Sequence, residues 1–204
     1  LGGYGFVRLS LPMLPDACRD PGVLAVVVSL AIVGVVYGAL CSMYYVATSG
    51  DMKKMVAYSS VSHMGVVVLG IFALNPSGIN GAVLQMINHG ISTSALFLVV
   101  AMLHNRRDTR LVSEYGGLSA VMPGFAAVFL VMVLSSIGLP LLNGFVGEFL
   151  VLRGAFEANP WWAAGGALGL VLGASCALWL YHRLMLGPVD RDEHLVLPDL
   201  SPRE

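Results

Sequence analysis

Three ionisable side chains stand inside long apolar runs: Glu148 in GFVGEFL, His63 in SSVSHMG and His89 in MINHGIS. Such groups are costly to keep among apolar neighbours, so each is a functional candidate. Imidazole accepts a proton at one nitrogen and donates one from the other near neutral pH. Together with a carboxyl group, two imidazoles could form a proton relay. Glu148 is pulled two ways. Free N–H groups at a helix start favour its ionised form, and withdrawal from water favours its neutral form. Each candidate also has a blander reading. Glu148 could simply cap a helix, and each histidine could hydrogen-bond between helices for packing specificity.

Other residues could support that chemistry. Ser59, Ser60, Ser62, Ser92, Thr93 and Ser94 lie near the histidines; they could carry water or let helices approach closely. Lys53 and Lys54 follow Asp51 and read as supporting cations at the mouth of a path, or as ordinary membrane anchors. Arg153, a turn past Glu148, could snorkel outward or partner the carboxylate. Neither intramembrane histidine has a second His or carboxylate at i+3 or i+4, so a metal site within one helix is not expected. No cysteine cluster could hold an iron–sulfur centre. A haem clamped between His63 and His89 stays open.

The elements that must position these groups follow from composition. Of 204 residues, 57% are hydrophobic and 11% charged, against about one-quarter charged in a soluble domain. Lipid is the solvent that suits this chain. The net charge of −1 gives no basic signature for nucleic acid. The expectation is an all-α, polytopic transmembrane helix bundle. Spans are expected at 22–47, 55–74, 80–103, 119–157 and 161–186. The fourth contains Gly138-Leu139-Pro140 and Asn143-Gly144, so it reads as one discontinuous helix broken near 139–144, with Pro140 and Gly144 shaping the break. Broken helices persist at membrane depth only where protein or a wet cavity covers the freed backbone. They point to a transport site.

Alternating these spans puts eight of the eleven Lys and Arg residues on one side, at the 48–54 loop, the 104–118 loop and the C-terminal tail. The positive-inside rule makes that side cytoplasmic. Residues 1–187 form the expected membrane domain, and 188–204 a truncated cytoplasmic tail. The chain reads as an internal-to-C-terminal fragment of a longer protein.

Three stretches in order, DMKKMVAYSSVSHMG, GAVLQMINHGISTSALF and GLPLLNGFVGEFLVL, resemble the antiporter-type membrane subunits of respiratory complex I (NADH–quinone oxidoreductase). The likeness is to the family of bacterial subunit M and mitochondrial subunit 4, and it covers essentially the whole chain. It implies the second half of an inverted-repeat, antiporter-like fold that translocates protons in a bacterial inner membrane. Electron transfer from NADH to quinone would occur in partner subunits, which would carry the flavin and iron–sulfur clusters; this chain would hold no cofactor. Its partners would be the other membrane subunits, especially neighbouring antiporter-like ones. By motif, Glu148 matches the carboxylate at the outer end of the proton path, and His63 and His89 match relay histidines. The family's central lysine stands directly before a stretch like LGGYGF, upstream of Leu1. One departure stands out. The family usually reads GLPGTNGFVGEF, and here Leu141 and Leu142 replace the glycine and hydroxyl residue at the break. Related alternatives are a subunit of a multisubunit cation/proton antiporter or of a membrane-bound hydrogenase. A non-transporting membrane scaffold is the alternative of another class.

Overall fold

The computed structural model describes residues 2–48, 50–187 and 197–200. Six long helices follow a helical lead-in, Gly2–Gly5, Phe6–Ser10 and Leu11–Met13, whose middle part is π-helical. They are α1 (Pro21–Ala47), α2 (Met52–Phe72), α3 (Pro76–Arg107), α4 (Pro123–Ser136), α5 (Asn143–Ala158) and α6 (Pro160–Met185). Helices α1, α2, α3 and α6 are each long and apolar enough to cross a membrane. Helices α4 and α5 are the two halves of the broken one, separated by 137–142.

Local chemistry fixes the starts. Helices α1, α3 and α6 begin with a capping side chain followed by proline: Asp20-Pro21, Asn75-Pro76 and Asn159-Pro160. The cap oxygen accepts an orphan N–H, and proline occupies the position whose N–H would have no helical partner. Asp51 caps α2 by accepting from the backbone N–H of Lys53 at 2.8 Å and of Lys54 at 3.3 Å. These caps extend α2 and α3 beyond the apolar runs that announce them. Helix α4 has proline at its start but no cap from Met122.

Helices α1 and α2 lie close together through Gly38 and Gly65, where a Cβ would strike the opposite backbone. Helices α3 and α5 do the same through Gly81, Gly147 and Gly154, the last against Gly78. Small residues of this kind let backbones approach and gain dispersion contact in a lipid-like setting. The bundle has two ends. At one, Asn75 Nδ2 donates to Gly154 O at 2.7 Å. At the other, Met52 N donates to Arg110 O and Val112 N to Gly50 O, and Arg183 Nη1 donates to Val46 O.

The core is split. One apolar cluster, containing Met52, Leu103, Phe125 and Leu180, fills the second end. Another, containing Val35, Leu69, Ala82 and Val151, fills the first. Between them lies a layer of buried polar groups: Ser62, Gln85, Asn88, Ser92, Ser135 and Glu148.

Candidate proton-transfer site

The polar layer is built by three elements. Helix α2 brings His63, α3 brings Gln85, Asn88, His89, Ser92 and Thr93, and the broken helix brings Ser135, Asn143 and Glu148. The α3 residues fall at intervals of three and four, which puts them on one face.

Glu148 is 6% exposed and sits in the second turn of α5. Helical side chains lean toward the N-terminus, and this one leans back over the break. Its Oε2 lies against Gly138, where a Cβ would collide with it. Gly138 has φ +69°, so both its backbone conformation and its missing side chain serve the carboxylate. Gln85 Nε2 donates to Glu148 Oε1 at 3.0 Å. His63 Nδ1 stands 3.4 Å from the same oxygen. That contact is within ion-pair reach but is not aligned as a hydrogen bond. The α5 start receives no side-chain cap, so Glu148 does not serve as its capping carboxylate.

The rings of His63 and His89 are 5.3 Å apart between centroids and tilted by 39°. Thr93 Oγ1 lies 3.1 Å from His89 Nδ1. His63, His89, Gln85, Asn88, Ser92, Thr93, Ser135, Ser136 and Gly144 line a cavity with about 10 Å³ open to the centre of a water molecule, at the lower limit for holding one. A haem macrocycle does not fit between rings this close. Among the described residues no group of three or more His, Cys, Asp or Glu could hold a metal ion.

The break is stitched by side chains. Asn88 Nδ2 donates to Asn143 O at 2.5 Å. Ser135 Oγ donates to Asn143 Oδ1, joining the end of α4 to the start of α5. Ser92 Oγ lies 2.9 Å from Ser135 Oγ, which ties that joint to α3.

Glu148, His63 and His89 therefore come together, and Gly144 joins them at the cavity wall. Pro140 sits exposed in the connecting turn, outside the polar layer. Lys53 and Lys54 are elsewhere, near the start of α2, about 15 Å along the helix from His63. Lys54 lies over the Tyr45 ring at 5.7 Å. Arg153 does not partner Glu148. It pairs with Glu157 at 3.0 Å, one turn further on, because both point outward from α5 while Glu148 points inward. Leu141, the departure at the break, has φ +84° and a fully exposed side chain. A glycine would take that backbone conformation without strain. Sequence reasoning passed over Gln85, Asn88, Ser135 and the linking role of Asn143. The spacing of Gln85, Asn88, His89 and Ser92 along α3 was the available signal. The expected tail falls mostly on 188–196 and 201–204, which lie outside the described residues.

Comparison with known proteins agrees with this arrangement. Residues 1–173 match the family described as NADH:quinone oxidoreductase/Mrp antiporter, transmembrane. NADH-quinone oxidoreductase subunit M of Rhodobacter capsulatus is 43% identical over 204 residues, covering 100% of this chain and 39% of that protein. NADH-ubiquinone oxidoreductase chain 4 of Triticum aestivum is 43% identical over 206 residues, covering 100% of this chain and 40% of the relative. The chain thus spans about two-fifths of the length of these relatives. Among solved structures, respiratory complex I from Thermus thermophilus with bound NADH contains a chain that superposes with TM-score 0.90 at 33% identity, over 98% of this chain and 41% of that one. With its split apolar core, broken helix and intramembrane polar layer, this integral membrane chain belongs to the NADH:quinone oxidoreductase/Mrp antiporter family.

Proposed function

We propose that this chain forms the second half-channel of a proton-translocating membrane subunit of NADH–quinone oxidoreductase. The observation that carries the reading is the buried contact of Glu148 with His63 and Gln85 beside a helix break. His63 Nδ1 and Glu148 Oε1 stand 3.4 Å apart, so a small turn of either side chain closes a path for the proton between them. His89 and the Thr93 hydroxyl continue the polar line on the other side of His63. Gln85 holds the carboxylate by donating to it, and Gly138 leaves room for its second oxygen. The apolar clusters above and below limit leakage, so protons cross this layer only through its polar groups.

In the assembled enzyme, partner subunits carry the redox centres and move electrons from NADH to quinone. The coupling to this chain is conformational and electrostatic. The end bearing Lys53, Lys54, Arg106, Arg107, Arg110 and Arg183 faces the cytoplasm of a bacterial cell, by the positive-inside rule. The end bearing Asn75 and Gly154 faces outward, and neighbouring antiporter-like subunits flank the bundle in the membrane.

The test is Glu148→Gln in the full-length protein within its complex, scored as protons moved into inverted vesicles per NADH oxidised. The amide keeps the volume and the contact with Gln85 but cannot exchange a proton, so the yield should fall. Unchanged pumping at full assembly would refute the proposal.

A further inference from the structure

Residues 197–200, LPDL, lie against the start of α4 and the end of α3. Asp199 Oδ2 accepts from Gly124 N and Asp199 Oδ1 from Phe125 N, both at 2.9 Å. Those are first-turn N–H groups of α4, whose own preceding residue supplies no cap. Arg106, near the end of α3, donates through Nε to Pro198 O at 3.1 Å and through Nη2 to Asp199 O at 3.5 Å. Its guanidinium also lies 5.6 Å from the centre of the Phe125 ring. Burial is the largest single influence and pushes the Asp199 carboxyl up, but the N–H groups of Gly124, Leu200 and Phe125, with Arg106, together outweigh it and hold it below the usual carboxylate range. It is therefore ionised when it caps the helix, the charge that a helix start favours.

Between their ends, α3 and α4 border a groove. Ala95, Leu98, Val99 and Met102 line it opposite Phe125, Val128 and Met132; it has a volume of about 240 Å³, opens at the surface and has Leu200 at one side. Helix α4 is tied to α3 by polar contacts at two points, the tail segment at one end and the Ser92–Ser135 contact at the other, with buried apolar contacts of the shared core between them. A helix of 14 residues is a rod about 21 Å long, so movement at one end reaches the other.

We infer that residues 197–200 act as a clip, with Asp199 as a positioning residue that sets where α4 ends and hence how the break at 137–142 meets the polar layer. The tail thereby links the basic end of the bundle to the seat of Glu148. This rests on the proton-transfer reading for its functional meaning, but its structural claim stands apart from it.

The experiment compares Asp199→Ala and Asp199→Asn in the full-length protein within its complex. Amide exchange and protons moved per NADH are measured for both. Alanine removes the cap and should speed exchange at Gly124 and Phe125 roughly five- to tenfold. The distinguishing result is faster exchange at 137–142 as well, at the far end of the rod, with a lower proton yield. Asparagine keeps one of the two accepting oxygens and should restore both in part. Faster exchange confined to 124–125 would overturn the clip, since it would show a local cap only. Faster exchange at 137–142 with an unchanged proton yield would uphold the clip while counting against the proton-transfer reading.

Discussion

Gly147→Ala tests whether the spacing of α3 and α5 governs the site. A Cβ at position 147 would stand 3.1 Å from both Cα and N of Gln85 and 2.6 Å from its Oε1. The side chain can turn away, but the α3 backbone cannot, so the helices must separate by several tenths of an ångström. Overpacking of this kind costs about 1–3 kcal/mol. Moving Gln85 also breaks its bond to Glu148, a further loss of about 0.5–3 kcal/mol depending on the charge of the carboxyl group. Gly173→Ala in α6 is the control. Nothing lies within 4 Å of a Cβ there, and alanine is preferred to glycine inside a helix by about 1 kcal/mol. Both glycines lie inside helices, so that gain is common to them, and the two substitutions should differ by at least about 1.5 kcal/mol. The assay is denaturant titration of the full-length subunit in mixed micelles, with proton yield measured on the assembled complex. Gly147→Ala should unfold earlier and pump less, while Gly173→Ala should match or exceed the parent. Equal behaviour of the two would refute the claim that backbone contact at Gly147 sets the position of Gln85.

Two further perturbations bear on the break. Leu141→Gly relieves a positive φ that costs a branched side chain about 1–2 kcal/mol, and a fully exposed side chain has no packing within the chain to lose. It should stabilise the same titration by roughly 1 kcal/mol, and a destabilisation would show that Leu141 is held by something outside this chain. Asn143→Ala removes the side-chain link from Ser135 and the weaker one to Ser92. It should cost about 1–3 kcal/mol and speed amide exchange at 137–142; neither effect appearing would mean that the stitch bears no load.

Much of the fold was readable because its signals are local. Four runs of apolar residues, cap-then-proline starts and a Gly-Leu-Pro interruption are written in consecutive positions, and lipid requires backbone groups to be satisfied within a helix. The break could be placed from Pro140 and its neighbours, and the structure puts it at 137–142. The ends of α2 and α3 were harder, because Asp51 and Asn75 extend those helices into polar sequence that hydropathy alone leaves out. The site was legible only in its ionisable members. Glu148, His63 and His89 announce themselves by charge, but their partners are neutral amides and hydroxyls that also serve packing. Nothing in the spacing along the chain brings Gln85 to Glu148, 63 positions away. The tail contact was illegible for the same reason: Asp199 caps a helix that begins 76 residues earlier.

The helix break and the polar layer are one physical solution. Interrupting α4 and α5 releases backbone groups that would cost several kcal/mol each if left bare in hydrocarbon. Some are met inside the turn, as when Leu139 N donates to Leu134 O and Leu142 N to Leu139 O. Others need side chains from outside: Asn88 reaches Asn143 O, and the hydroxyls of Ser92 and Ser135 join the two halves to α3. The residues that satisfy the break thereby make a polar niche between two apolar clusters. Gly138 then admits the carboxylate of Glu148 into that niche, where Gln85 and His63 meet it. A straight helix at 123–158 would need no such lining, and it would lack the turn at Gly138 that receives the Glu148 carboxylate. The break is what makes a buried carboxylate tolerable here, within reach of Gln85 and His63.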